Sequence, residues 1–245
     1  MSLLKIASVA CIALTLGACQ SLFQPSWRTP LEATRDATEQ SKPGCASADC
    51  PLVNIDTVHF AKEPKLDALI EQRLLEMTQA DPLPTSLATY AEQFLRSAAP
   101  RNSMYLQAKV REQHDGLVII ELSSYLDQGA THGEPGRAFI NYSRQQQKAL
   151  SLTDMLLPGK EDAFWKAAQV AHNSWLISTR LSLEPEFVKT YPFQKTPNVA
   201  LTSNGVILKY PTTTIAPYAL GHVELQIPYS RLDGILKPEL APVRQ

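Results

Sequence analysis

Charge is scarce in this 245-residue sequence, 19% of residues against about 25% in an average soluble chain. The two signs nearly cancel, with 23 Lys+Arg, 24 Asp+Glu and a formal charge of -1. That balance excludes the basic stripe with which nucleic-acid binders displace counterions from phosphates. Glycine is also scarce, ten residues with no glycine-rich loop among them, which excludes a phosphate cradle. The five histidines, at 59, 114, 132, 172 and 222, never stand four apart, and the Cys-x4-Cys of Cys45 and Cys50 lacks a second ligand pair. No metal site and no cofactor is expected from such spacing. What the chain does have is 44% hydrophobic residues, enough for a real core, and 18 prolines, which favour many short elements joined by stiff turns.

The first nineteen residues carry an address. Lys5 precedes an apolar run from Ile6 to Ala18, shorter than the roughly 20 residues that span a bilayer. The run ends in Leu16-Gly17-Ala18-Cys19, which resembles a bacterial lipobox. Residues 1–18 are then a signal peptide, and Cys19 receives diacylglycerol on its sulfur and a palmitate-type acyl chain on its nitrogen. Multiple acyl chains anchor stably through hydrocarbon burial alone. Gln20 follows that cysteine where an inner-membrane lipoprotein would carry Asp, so the expected location is the outer membrane of a Gram-negative cell. Residues 19–44 read as lipid anchor and flexible tether, rich in Ser, Thr, Gln and Pro, with Trp27 as an interfacial anchor. In that oxidising compartment Cys45 and Cys50 are expected to pair as a disulfide.

Beyond the tether, Val53–Phe60 alternates as a strand, and Pro64 opens a helix over 64–79 with Leu66, Leu69, Ile70, Leu74 and Met77 at helical spacing. A second helix covers about 86–98. Strands over 104–110, 117–125 and 136–144 form an antiparallel meander that turns at His114-Asp115-Gly116. Asp154, Glu161 and Asp162 read as helix-capping charges ahead of a stripe of Phe164, Ala168, Ala171 and Trp175. Asn204-Gly205 signals a type I′ hairpin between Val199–Leu201 and Val206–Tyr210, and a last strand holds Val223, Leu225 and Ile227, with His222 facing outward. The fold class is α+β, antiparallel sheets with helices packed on one face, in two sub-modules over 45–155 and 156–245.

Three segments resemble the extracellular region of RsiV-type anti-sigma factors, shared with the non-catalytic N-terminal part of PdaC-type peptidoglycan deacetylases. They are Val53-Asn54-Ile55-Asp56 with the helix carrying Asp67 and Ile70; Tyr125, Gly129-Ala130-Thr131-His132-Gly133, Asn141-Tyr142 and Leu150–Asp154; and a closing stretch. The closing stretch comprises Leu201–Gly205, Ile215-Ala216-Pro217-Tyr218-Ala219-Leu220-Gly221 and Ile227-Pro228-Tyr229-Ser230. The likeness covers about 50–240. Thr131 inside the histidine turn and Tyr210-Pro211-Thr212 before the loop depart from the family pattern, and no deacetylase domain is present. The resemblance implies a cell-envelope binding module, non-enzymatic, whose partner is a lysozyme-like muramidase or peptidoglycan itself. The alternative is a wall-modifying hydrolase or an accessory subunit of a peptidoglycan deacetylase.

Five residues are candidates for partner contact: His132, Tyr210, Thr213, Pro217 and Tyr218. Pro217 lowers the ordering cost of its loop and Tyr218 supplies a large amphipathic contact, as binding hot spots do. Thr213, between Thr212 and Thr214, offers hydrogen bonds at an edge. His132 with Glu134 has the composition of an acid/base pair, but the flanking glycines read as a turn and no Gly-x-Ser-x-Gly nucleophile accompanies it. No catalytic residue is therefore assigned.

Overall fold

The computed structural model describes Trp27 and residues 29–241. The expected signal peptide 1–18, Cys11 among it, and the expected acylation site Cys19 lie outside the described residues.

The first sheet has six strands in the order β1 (Thr34–Ser41), β2 (Leu52–His59), β3 (Ser103–His114), β4 (Leu117–Asp127), β5 (Glu134–Ser143) and β6 (Lys148–Ala149). β3 to β6 form the expected meander, antiparallel throughout. β2 and β3 run parallel, because the chain between them crosses one face of the sheet as helices α1 (Pro64–Met77) and α2 (Leu87–Ser97). Pro64 at the start of α1 gives up an N–H that would have no partner, and Asp67 accepts the Phe60 N–H at 2.8 Å to fix the entry. Ser86 caps α2 by accepting the Thr89 N–H at 3.1 Å. Leu66, Ile70 and Leu74 from α1 and Tyr90, Ala91 and Leu95 from α2 bury against Ile55, Met104, Leu106, Val118, Ile120 and Leu122. Each fully buried aliphatic side chain there is worth roughly 1.5–3 kcal/mol.

The reading of 19–44 as tether, with Trp27 as an interfacial anchor, is corrected from Trp27 onward: that ring lies on Gly116 in the body of the fold. Residues 34–41 are β1, paired antiparallel along β2 from Thr34 opposite His59 to Ser41 opposite Leu52. All eight side chains of β1 are exposed, so the strand is held by its backbone ladder and by polar ties to β2: Arg35 to Asp56 at 2.6 Å, Asn54 to Glu39 at 3.1 Å, and Asp36 beside His59 at 3.7 Å. No hydrophobic period exists in such a strand for a sequence reading to find. The expected pairing of Cys45 with Cys50 is present in the loop that joins β1 to β2, with Cα atoms 5.8 Å apart.

A second, three-stranded antiparallel sheet contains β7 (Val199–Thr202), β8 (Gly205–Lys209) and β9 (Glu224–Ile227). In the chain between β6 and β7 come α3 (Leu152–Met155), α4 (Glu161–Ser178) and α5 (Pro185–Thr190). Asp154 does cap: it completes a capping box with Ser151 at the start of α3. Phe164, Trp165, Ala168 and Leu176 of α4 pack in a second core with β7, β8 and β9. The β7–β8 hairpin exists, but its turn is Ser203-Asn204 and neither residue has a positive φ. Gly205 instead pairs with Thr202, and a Cβ there would fall 2.7 Å from the Ile227 carbonyl. The glycine serves the close approach of β9, not a type I′ turn. Type I′ dihedral signs occur at Asp115-Gly116 between β3 and β4, with φ of 47° and 80°.

β4 belongs to both cores. Leu117 and Ile119 face the second, whereas Val118, Ile120 and Leu122 face the first. No helix of the described residues is long and apolar enough to cross a membrane.

Candidate functional site

The parallel β2–β3 pair and the antiparallel meander place several connections at one end of the first sheet. The Cys45–Cys50 loop precedes β2 there, and residues 128–133 join β4 to β5. Gly129, at φ +79°, donates its N–H to Asp127 Oδ1 at 2.9 Å and turns that connection. Gly133 then lies flat on the ring of Tyr125, so closely that a Cβ would stand 2.4 Å from Cζ. His132 is left exposed beside it.

The second unit reaches the same place through the loop between β8 and β9. Ile215 and Ala216 bury their side chains and pin its middle. Pro217, in extended geometry, leads into a single 3-10 turn, Tyr218–Leu220, closed by the Leu220 N–H on the Pro217 carbonyl at 3.0 Å. The Tyr218 ring stacks on the His132 imidazole, centroids 4.6 Å apart and planes 19° from parallel. Two residues picked separately from the sequence, 86 positions apart, thus form one half-exposed aromatic pair. Leu220 stands 50% exposed near it in sequence, and Thr213 is exposed at the near end of the loop with φ +69°.

Tyr210 is not part of this surface. Its ring is wholly buried and its hydroxyl donates to the Gln194 carbonyl at 2.9 Å, so the expectation of partner contact is corrected. Burial also raises its pKa above the ordinary phenol value. The outward placement of His222 is corrected as well. Its Nδ1 lies 3.0 Å from the Tyr210 carbonyl, and its Nε2 is buried with no hydrogen-bond partner. Desolvation holds its pKa below 6.5 against the opposing pull of the Tyr210 carbonyl. His172, at 3% exposure between Trp175 and Phe193, is likewise depressed by burial. No hydrogen bond or ion pair joins His132 to Glu134 among the described residues.

Residues that the sequence reading passed over complete the surface. Tyr105, 41% exposed, packs 6.4 Å from Tyr125 and lines a cleft of about 540 Å³ with Cys50, Arg101, Asp127 and Ala130. Tyr105 occupies the outward phase of an alternating strand, a signal that was available. Arg137 of β5, opposite Ser123 of β4, is half-buried and donates to the Gly136 carbonyl at 2.7 Å. Burial lowers its pKa, with Glu121 pulling the other way. Behind it, two acids and two bases close a ring across the seam of the two sheets. Lys209 pairs with Glu121 and, at 2.8 Å, with Glu224; Arg111 pairs with the same two acids at 3.0 and 3.3 Å. Burial opposes the Glu121 charge, yet Lys209 and Arg111 prevail and its pKa lies below the usual value. Counting Arg137 with the ring gives three cations to two anions, an excess that suits an acidic group on a partner. No group of three or more His, Cys, Asp or Glu among the described residues is arranged to hold a metal.

Comparison with known proteins places this geometry in a family. The family described as "Protein of unknown function (DUF3298)" matches residues 153–230. The crystal structure of a DUF3298 family protein from Pseudomonas aeruginosa PAO1 is 60% identical, with a TM-score of 0.88, and the match covers 89% of this chain and 100% of that one. A member of the same family from Bacteroides fragilis NCTC 9343 is 16% identical with a TM-score of 0.69, covering 86% of this chain and 96% of that one, a likeness of fold alone. No curated protein matches the chain.

Proposed function

The chain belongs to the DUF3298 family, and from that premise we propose that it is a cell-envelope lipoprotein acting as a non-enzymatic binding module. The observation that carries the reading is the His132–Tyr218 stack, one ring from each unit, on a surface that also offers Tyr105, Pro217 and the half-buried cation of Arg137. Tyrosine and arginine around a rigid loop are the composition of a binding hot spot. The partner is a lysozyme-like muramidase or peptidoglycan, in line with the resemblance to the RsiV-type and PdaC-type regions. Acylation at Cys19 in the outer membrane keeps the module at the wall.

The test is retention of lysozyme, and separately of purified sacculi, on the immobilised chain starting at Ser21. Tyr218→Ala and His132→Ala are expected to weaken retention at least tenfold with unchanged circular dichroism. Undiminished retention by both variants overturns the site. Steady cleavage of wall fragments by the wild type, abolished in His132→Ala, overturns the non-enzymatic reading and favours a hydrolase.

A further inference from the structure

The described chain begins at the opposite end of the sheet from the aromatic patch. The Trp27 ring lies on Gly116 in the β3–β4 turn, where a Cβ would stand 2.3 Å from the indole. Arg144 Nη1 donates to the carbonyls of Trp27, at 2.7 Å, and of Thr29, and the Arg144 N–H donates to the Gly116 carbonyl at 3.0 Å. Both backbone groups of Leu31 are taken up by the Gln113 amide, at 2.7 and 2.9 Å. The segment is therefore docked to the hairpin before β1 starts, and the link from Cys19 to Trp27 is eight residues. Eight residues span at most about 29 Å when fully extended. β4 leaves this hairpin and runs 11 residues before the connection that carries His132. At about 3.4 Å per residue that distance is roughly 35 Å.

Resting on the lipid attachment at Cys19 proposed above, we infer that the Asp115-Gly116 end of the molecule faces the lipid surface and that the His132–Tyr218 patch points away from it. The short link holds one end of a body longer than the link itself, and the strand direction sends the patch to the other end. The docked N-terminal segment thus fixes which partners are reached: those on the wall side of the membrane, not lipids or proteins embedded beside the anchor.

The test uses the full acylated chain in vesicles of phosphatidylethanolamine and phosphatidylglycerol that contain nitroxide-headgroup lipid. A fluorophore is placed at Gln146→Cys, in the turn beside Gly116, or at Thr131→Cys, beside His132. The label at 146 is expected to be quenched several-fold more than the label at 131. Equal quenching, or stronger quenching at 131, overturns the orientation. The triple variant Trp27→Ser/Gln113→Ala/Arg144→Ala, which removes the ring contact and the side chains that hold the Trp27, Thr29 and Leu31 backbone and leaves fourteen residues between Cys19 and Thr34, is expected to shrink the difference; a difference that persists unchanged overturns the role of docking. The mass of the extracted protein is read in the same experiment. A chain that carries no acyl groups and does not bind vesicles defeats the lipoprotein reading, whereas an acylated chain with equal quenching defeats the orientation alone.

Discussion

The side-chain amide of Asn141 holds the backbone of Leu201: Oδ1 accepts the Leu201 N–H at 2.8 Å while Nδ2 donates to the Val199 carbonyl at 2.7 Å. At 3% exposure, this one residue of β5 stands in for a strand and satisfies β7 across the seam between the sheets. Asn141→Leu leaves a buried N–H and a buried C=O without partners, each costing about 1–3 kcal/mol. Urea unfolding followed by tryptophan fluorescence should show the midpoint fall accordingly.

The ring of Arg111, Glu121, Lys209 and Glu224 should behave as a buried network. Lys209→Met removes the one cation whose side chain is only 10% exposed and leaves Glu121 poorly compensated, for a loss of about 3–5 kcal/mol. The double variant Lys209→Met/Glu121→Met is expected to recover much of that loss, because apolar replacement of both partners removes the uncompensated charge. A double variant less stable than Lys209→Met alone, in chemical denaturation, contradicts this account.

Acid should weaken the fold in two stages. The pKa values of His172 and His222 are depressed below 6.5 in the folded state, so the unfolded chain binds more protons as the pH drops below that value and stability declines. Asp56, Glu121 and Asp154 are held below ordinary values of 3.8, 4.5 and 3.8, chiefly by Arg35 for Asp56 and Lys148 for Asp154, and for Glu121 by Lys209 and Arg111 against burial. Their contribution is present above those values and is lost as the pH falls through the folded pKa values. Thermal melts from pH 8 to 3 should show both stages, and His172→Leu should flatten the upper one.

Tyr210→Ala and Tyr218→Ala should separate cleanly. The first empties a fully buried site and costs about 3–5 kcal/mol. The second removes a half-exposed ring and should change stability by about 1 kcal/mol or less while weakening partner retention. Melting temperature and binding measured on the same preparations distinguish the two.

Gly205→Ala should detach β9, since the added methyl meets the Ile227 carbonyl at 2.7 Å on a backbone with φ +153°. Amide exchange at Leu225 and Ile227 is expected to speed up while exchange at Leu106 and Leu122 stays slow.

The helices were legible because Leu66, Ile70 and Leu74, or Phe164 and Ala168, repeat at the period of the helix that buries them. The meander was legible for the same reason at period two. β1 was not, because a strand whose side chains all face water has no apolar rhythm, and its partner strand lies across the Cys45–Cys50 loop. Of the candidate surface, the sequence named His132 and Tyr218 but not their contact, which depends on how the β8–β9 loop folds over β5. Tyr210 was misplaced because an aromatic next to a proline looks the same inside a core and on a loop. The ion ring was beyond reach, since each member is an ordinary alternating polar residue until the two sheets meet.

β4 puts adjacent residues into opposite cores, Leu117 and Ile119 on one side, Val118 and Ile120 on the other. It is therefore a party wall, and neither room stands after it is taken down. The piece from residue 154 onward would lack Leu117 and Ile119 from its interior and should not hold a cooperative structure by itself. Heat ought to dissolve both halves of the chain in one calorimetric peak, the more so because β5 is shared in the same way, with Phe139 against one core and Ile140 and Tyr142 in the other.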